Sequence, residues 1–536
     1  MINTARTRSY NQIPPIMSIL LPHTSRSFQI GENIIPPSQT LCTLIGDIVD
    51  YRDNRTTLIK RGWITHMKIP GIIVFITKYR YGYNKSGIPF YMFYPHLPYL
   101  PPMIVACRGH QENNMLAIVE FNTWTNPSEH PRANLVKTIG ITNDNTSEIT
   151  AILSTIDTPT YKKTGAITPD PLEIAESPHA TFNIDPAGCI DVDDVLTIFP
   201  LDPEEENWQI DISIADVSHF IPLDSEIDLI ARQKAATGYT EVSRITMLPP
   251  SLEKEISITQ DTVRPTVTLS IVWHQPTESI TKTTWSKKIL RNSHSFSYED
   301  AVITHPIFHR EFGVLSRLSR STDSHVWIEY VMRLYNTEAA ALIRDTPGAI
   351  FRREIPPPPD IPHDTPQNIR FLYYQSSTYC WEYTGYTHAS SPIRRYADLA
   401  VQRTISSIID GTPAPNYPAD LPHWLNYRQK IIRRAERDVI FYRKVTTGLN
   451  RVENAVVSAI KIEGEMAKIR LWMSEILHTV TVTYPISPDP SPSGCTIMSK
   501  DGRSRLPISR YMMIPVTILW DSTRIGHKRF VYSVFD

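Results

Sequence analysis

Apolar residues along this 536-residue chain fall into three successive patterns. From about residue 41 to 166 they come in short runs broken by turns: GIIVFITKY, IPFYMFY, PPMIVAC, MLAIVEF and EITAILSTI. Their alternation and their β-branched and aromatic content predict strands. Many short strands in that span predict small barrels of the OB type. From about 170 to 450, strands mix with helices. QIDISIADV alternates as a strand, while SEIDLIARQKA (225–235) opens on a Ser-x-x-Asp capping signal and continues as a helix. Ile328, Val331, Met332, Tyr335, Ala339 and Leu342 recur at helical spacing, so one face of 325–344 is core. FRREIPPPPD (351–360) must break into a loop, because four prolines fit neither a helix interior nor a central strand. After about 450, AVVSAIKI, MAKIRLW, HTVTVTY, MIPVTILW and RFVYSVF predict one more small barrel. The fold class expected is α+β and multidomain.

Two of the helical segments carry charge. SPIRRYADLAVQRTISSII (391–409) reads with Ser391 as N-cap, Pro392 at the first helical position and Arg394 in the first turn. A cation there opposes the helix dipole unless an anion is bound. The segment is therefore a phosphate site, or its arginine swings into solvent or pairs with a carboxylate such as Asp398. Residues 424–446 set seven Arg or Lys against Glu436 and Asp438. That pattern suits a solvated face or the wall of an RNA channel.

Composition adds limits. Net charge is −1, so any nucleic-acid surface must be local rather than global. Five scattered cysteines without a CxxC pair argue against a disulfide framework or a zinc site. They fit a reducing intracellular compartment, the cytoplasm first, with nucleus and mitochondrion open. No apolar run approaches a membrane span. The first 31 residues hold Arg6, Arg8 and Arg26 and no acidic residue before Glu32, as in a transit peptide or a basic arm. Tyr79, Tyr81, Tyr83, Phe90, Tyr91, Phe93 and Tyr94 either stack bases or fill a barrel core.

The chemistry concentrates in TFNIDPAGCIDVDDVLTIF (181–199), which sets Asp185, Asp191, Asp193 and Asp194 between two strand-like runs. Four carboxylates so close repel one another unless cations sit between them. Hard oxygen ligands suit Mg²⁺, with Mn²⁺ as a substitute, and two such ions can clamp a phosphoryl displacement. A solvated acidic turn is the alternative.

Several motifs, in order, resemble the RNB catalytic domain of the ribonuclease II and RNase R exoribonucleases, nearest to eukaryotic members of the exosome-catalytic-subunit type. IDPAGCIDVDD matches the family's D-x5-D-x-D-D signature, and DISIADVSHFI, TGYTEVSRITMLPPSLEKEI, WIEYVMRLYN, IFRREIPPPP, YTHASSPIRRYADLAVQR and RRAERDV follow. The likeness covers about residues 170 to 450. It departs at Gln402 and Lys234, which replace a histidine and an arginine, and at Ile355, which replaces a loop histidine. PHLPYLPPMIVAC and LAIVEFNTW resemble the second cold-shock domain of the eukaryotic members. No segment resembles their endonuclease (PIN) domain, so no endonuclease activity is expected.

The resemblance implies a domain order: a basic arm or targeting segment (1–40), a partial cold-shock-like segment (41–85), a cold-shock/OB domain (86–168), the RNB domain (169–449) and an S1-like OB barrel (450–536). It implies Mg²⁺-dependent, processive 3′-to-5′ hydrolysis of single-stranded RNA to nucleoside 5′-monophosphates, alone or within an exosome-like decay complex. Asp185, Asp191, Asp193 and Asp194 would hold the metals, with Asp193 needed most. Arg394 would stabilise the scissile phosphate. Tyr239 would stack on the terminal base, and Tyr298, Glu329, Glu436 and Arg395 would contact RNA near it. His219 receives no role. The competing expectation is an RNB protein that binds RNA and regulates without cutting.

Overall fold

The computed structural model describes residues 17–24, 27–30, 33–36, 40, 42–76, 79–108, 113–157, 159–161, 179–354, 377–445, 451–487, 495–521 and 530–535. The chain divides into two compact units, Met1–Thr155 and Ile156–Asp536.

In the first unit, β1 (Met17–Ile19), β2 (Leu21–Thr24), β3 (Ser27–Ile30), β4 (Asn33–Ile35), β5 (Ile48–Arg52) and β6 (Arg55–Lys60) form two three-stranded sheets, β1-β5-β6 and β2-β3-β4. Leu20, Ile35 and Val49 make a small buried core, with Phe28 and Tyr51 packed against it. Strands β1 to β4 therefore lie within the 1–40 segment expected as a basic arm or targeting segment. Residues 1–16 lie outside the described residues.

A closed barrel follows, built from β7 (Lys68–Ile73), β8 (Phe90–Pro95), β9 (Met103–Ala106), β10 (Met115–Thr123) and β11 (Arg132–Ile141) in the order β10-β11-β9-β8-β7. It starts at Lys68, ahead of the boundary expected at residue 86, because β7 pairs with both β10 and β8. Phe90, Tyr91 and Phe93 are buried, whereas Tyr79, Tyr81, Tyr83 and Tyr94 are exposed. The aromatic supply thus divides between core and surface. EITAILSTI, expected as a strand, belongs to helix α1 (Asn145–Ser154). The Asp144 carboxylate accepts from Ser147 N–H, and Glu148, Ala151 and Ile152 turn inward at helical spacing.

The second unit is organised on a six-stranded sheet, with strand order β18-β17-β14-β13-β12-β19. Its members are β12 (Thr181–Asp185), β13 (Asp194–Pro200), β14 (Asn207–Ala215), β17 (Val263–His274), β18 (Ser279–Arg291) and β19 (His294–Ser297). Helices α2 (Val217–Phe220), α3 (Glu226–Lys234) and α4 (Pro250–Ile256) lie between β14 and β17 in the chain, with the short hairpin β15 (Gly238–Tyr239) and β16 (Arg244–Ile245). After the sheet come α5 (His309–Ser319), α6 (Ser324–Leu342), the pair β20 (Phe351–Arg353) and β21 (Thr378–Cys380), α7 (Tyr396–Asp410) and α8 (Leu421–Val445). The Ser225 hydroxyl caps α3 as its capping signal predicts, and Trp327, Val331, Tyr335 and Ala339 form the buried face of α6. The proline run after Glu354 lies outside the described residues.

The helix expected from Ser391 begins instead at Tyr396. Residues 394–396 pair with Ala235–Thr237: Thr237 N–H donates to the Arg394 carbonyl and Tyr396 N–H to the Ala235 carbonyl, at 2.9 and 2.8 Å. That extended pairing displaces Ser391, Pro392 and Arg394 from the first helical turn into a preceding turn. Finally, β22 (Arg451–Glu463), β23 (Met466–Met473), β24 (His478–Pro485), β27 (Met513–Trp520) and β28 (Phe530–Ser533) form a five-stranded sheet, β24-β23-β22-β27-β28, beside the pair β25 (Cys495–Met498) and β26 (Arg505–Ile508). All five strands read from the sequence are present, and Val534 N–H donates to the Tyr484 hydroxyl at 3.1 Å, joining the outer strands.

Candidate active site

The aspartate loop connects two antiparallel neighbours. β12 and β13 pair with Phe182 opposite Leu196, which brings Asp185 and Asp194 to adjacent strand ends. Gly188 takes φ +79° in the connecting turn, a conformation that favours glycine. Both flanking strands are buried, so the carboxylates stand at the rim of a core rather than on a solvated loop.

Asp193 is the most enclosed of the four, 3% exposed. Its Oδ1 accepts from Ile393 N–H at 2.9 Å, which docks the Ser391–Arg395 turn onto the sheet. Its Oδ2 is buried with no hydrogen-bond partner among the described residues, and Arg394 Nε lies 3.4 Å away. Burial pushes its pKa up to about 8, against the pull of Arg394 and the Ile393 N–H. Asp194 is raised well above the carboxylate range by burial, then by Asp185 and Asp193. Asp185 is also raised by burial, while Asn183 Nδ2 donates to it at 2.8 Å. For Arg394, burial opposes the charge, yet Asp193, Tyr239, Asp191 and Asp194 hold its pKa above the ordinary value.

Tyr239 reaches this cluster. Its hydroxyl donates to Asp191 Oδ2 at 2.7 Å, and its backbone N–H donates to Glu436 Oε1 at 2.9 Å. The residue is 44% exposed, with the Arg244 guanidinium 5.8 Å from its ring centroid. Tyr239, Arg394, Arg395, Arg433 and Glu436 line a cavity of about 180 Å³. Tyr298 stacks on His325 with centroids 3.9 Å apart, and its pKa is pushed up to about 12 by burial, then by Asp185 and Asp194.

Two further residues expected to touch RNA are bonded or placed as follows. Arg395 forks onto Asp398 through Nε and Nη2 at 2.9 and 2.7 Å, and Asp398 also accepts from Ser391 N–H. The pair braces the turn beneath Arg394, so the carboxylate partner weighed for Arg394 belongs to its neighbour. Glu329 is exposed on α6, with no hydrogen bond or ion pair to the aspartates among the described residues. Lys234 is buried against Asp157 and the Thr246 carbonyl. Gln402 bridges Ser218 N–H and the Ala215 carbonyl. Both departures from the family pattern are therefore structural bonds.

Arg244 and Glu253, which no sequence pattern singles out, also reach the aspartate loop. Arg244 lies 2.9 Å from Asp191 and 2.9 and 3.0 Å from the two Glu253 oxygens. The only available signal was an arginine five residues after Tyr239 within the same motif.

Among the described residues, no group of three or more His, Cys, Asp or Glu is arranged to hold a metal ion. The donor set still suits a hard dication. Asp193 Oδ2 is a buried oxygen without a hydrogen-bond partner among the described residues, and Asp185 and Asp194 are carboxylates that burial first, and neighbouring aspartates second, push above the usual range despite Arg394.

A closed barrel and an α/β unit whose carboxylate loop faces an arginine and a tyrosine go with an RNase R-like fold. The RNB domain model matches residues 177–304, and the Dis3-like cold-shock domain 2 (CSD2) model matches 90–157. The chain therefore carries segments that match an RNB domain and a Dis3-like cold-shock domain. It is 22% identical over 437 residues to the human "Exosome complex exonuclease RRP44", covering 60% of this chain and 45% of that protein. The chain thus spans less than half the length of that relative. RNase R of Mycoplasma genitalium, solved in complex with ribose-methylated single-stranded RNA, shares the fold at TM-score 0.62 and 16% identity, over 97% of this chain and 100% of that one. Yeast Ssd1, described as a pseudonuclease, does so at TM-score 0.67 and 13% identity, over 94% and 82%. All five cysteines are free. No helix among the described residues is long and apolar enough to cross a membrane.

Proposed function

We propose that this chain hydrolyses single-stranded RNA processively from the 3′ end, releasing nucleoside 5′-monophosphates with Mg²⁺ bound. The observation that carries the reading is the convergence of Asp193, Arg394 and Tyr239. A buried carboxylate with an orphaned oxygen stands 3.4 Å from an arginine whose side chain is 45% exposed, beside a tyrosine that is itself 44% exposed. Asp185, Asp191, Asp193 and Asp194 would hold the metal, which supplies an activated water and Lewis-acid stabilisation of the leaving oxygen when bound. Arg394 neutralises charge growing on the scissile phosphate, an electrostatic effect commonly worth about 3 kcal/mol. Tyr239 stacks on the terminal base. Glu436, held by the Tyr239 backbone, accepts from a 2′-hydroxyl and favours RNA over DNA. Single-stranded RNA is the partner, with an exosome-like assembly as its setting, and five unpaired cysteines support work in a reducing compartment inside the cell.

The test is 5′-labelled single-stranded RNA with Mg²⁺, comparing wild type with Asp193→Asn. A ladder of 3′-shortened products is expected, abolished by EDTA and slowed at least about 100-fold in the variant, since even an outer-shell partner of a metal is worth 10–100-fold. No ladder from the wild type, or the same ladder from the variant, refutes the proposal. A second reading, an RNA-binding protein that does not cut, is favoured by the absence of an assembled three-donor group among the described residues. Tight RNA binding without products in either Mg²⁺ or Mn²⁺ would select it.

A further inference from the structure

The hairpin carrying Tyr239 bears directly on the aspartate loop. β15 and β16 are two residues each, and their register sets Tyr239 opposite Arg244. The turn between them is closed by Thr240 N–H donating to the Ser243 carbonyl at 3.1 Å and Ser243 N–H to the Thr240 hydroxyl at 3.0 Å. Both side chains converge on one atom: the Tyr239 hydroxyl and Arg244 Nη2 lie 2.7 and 2.9 Å from Asp191 Oδ2.

Arg244 is itself held. Its Nη1 and Nη2 donate to Glu253 Oε2 and Oε1 at 3.0 and 2.9 Å, a fork-to-fork pair that fixes the guanidinium plane. The Glu253 side chain is only 4% exposed. The segment around it is fastened to the aspartate loop, with the Ser257 hydroxyl donating to the Ile190 carbonyl at 2.9 Å and Ile258 N–H to the Val192 carbonyl at 3.0 Å. A hydrogen bond from the Tyr239 hydroxyl and the ion pair with Arg244 both fall on Oδ2, and only the weakly donating Cys189 thiol, 3.7 Å away, bonds to Oδ1, the oxygen of Asp191 that a cation could take.

We propose that Arg244, braced by Glu253, is a positioning residue for Asp191. It orients the carboxylate so that Oδ1 is presented for metal binding. Through Tyr239 it couples that orientation to the residue that meets the terminal base. The inference rests on the metal-dependent reading of the site. Ligating carboxylates depend on such outer partners, whose loss costs about 10–100-fold in metal affinity. A guanidinium that instead competed with the cation for Asp191 would give the opposite sign.

The experiment titrates the full-length chain with Mn²⁺ alone, reading free Mn²⁺ by electron paramagnetic resonance. Wild type, Arg244→Lys, Arg244→Met and Glu253→Gln are compared, each first checked for cooperative unfolding. The Mn²⁺ Kd is expected to rise about 10–100-fold in Arg244→Met and Glu253→Gln, with Arg244→Lys between them and wild type. An unchanged Kd in the folded variants overturns the positioning role, as does a lower Kd, or a wild type that binds no Mn²⁺. Where Arg244→Met fails to fold, Glu253→Gln decides, because it keeps the side-chain shape. RNA cleavage measured alongside separates the two proposals. A chain with this affinity pattern that cuts no RNA refutes the enzyme alone. One that cuts RNA with unchanged affinities refutes the role of Arg244 alone.

Discussion

At the scale of single residues, the turn that bears Arg394 is backed by a neutral histidine. His388 Nδ1 faces Arg352 Nη1 at 2.8 Å and the Tyr379 hydroxyl at 2.9 Å, so it accepts, and the imidazole carries its proton on Nε2. Burial, then Arg395, Arg352, Arg433 and Arg394, lower its pKa well below the ordinary value. The unfolded chain binds a proton near pH 6.5, which the folded chain refuses. Stability therefore falls as pH drops below about 6.5, by up to about 1.4 kcal/mol per pH unit from this residue. His388→Gln should flatten that slope between pH 6.5 and 5.5 in denaturant unfolding, though its stability at pH 7 will be lower. A variant with the wild-type slope would remove His388 from the account. The aspartates, Tyr239 and Arg394 were legible because their identities and spacing survive in one dimension. Arg244 and Glu253 were not. Arg244 meets Tyr239 through a pairing of two-residue strands, too short to leave a periodic trace, and Glu253 reaches Arg244 from α4.

At the scale of elements, sequence pattern and structure differ at two segments, one through a local cap and one through a tertiary pairing. The apolar run ending in α1 is consistent with a strand until the Asp144 cap is recognised. The start of α7 moves from Ser391 to Tyr396 because Ala235–Thr237 bond the backbone that would have formed its first turn. That same displacement sets Ile393 N–H on Asp193, so the misplaced boundary lies at the candidate chemistry. α7 is held to the end of β14 by Gln402, whose Nε2 donates to the Ala215 carbonyl at 2.7 Å and whose Oε1 accepts from Ser218 N–H at 3.2 Å. Gln402 is fully buried, so no water can replace either bond without rearrangement. Gln402→Ala is expected to cost about 1–3 kcal/mol through the two stranded backbone groups. Chemical denaturation measures it, and a change below about 0.5 kcal/mol, the scatter of inconsequential substitutions, would mean the groups find other partners.

At the scale of the whole molecule, every residue of the candidate site from Asp185 to Glu436 belongs to the second unit. The first unit contains a closed barrel, with exposed tyrosines, but none of the carboxylates. The fragment 156–536 should therefore fold cooperatively and still shorten RNA from the 3′ end, with the loss confined to substrate affinity. The choice of starting residue matters. The Ile156 carbonyl accepts from Arg428 Nη2 at 3.2 Å, Asp157 pairs with Lys234 at 3.3 Å, and the Tyr161 hydroxyl donates to the Met247 carbonyl at 2.5 Å. Arg428 is fully buried, and burial pushes its pKa down to about 10, so each carbonyl it holds offsets part of a costly desolvation. A fragment starting at residue 179 should lose at least about 1–3 kcal/mol relative to 156–536. It should lose cleavage as well, because Lys234 and Arg428 support the segment leading to Tyr239. Unfolding curves and the RNA ladder, run on both fragments, check the two statements separately. A 156–536 fragment that folds but does not cut would mean that the first unit takes part in the chemistry itself.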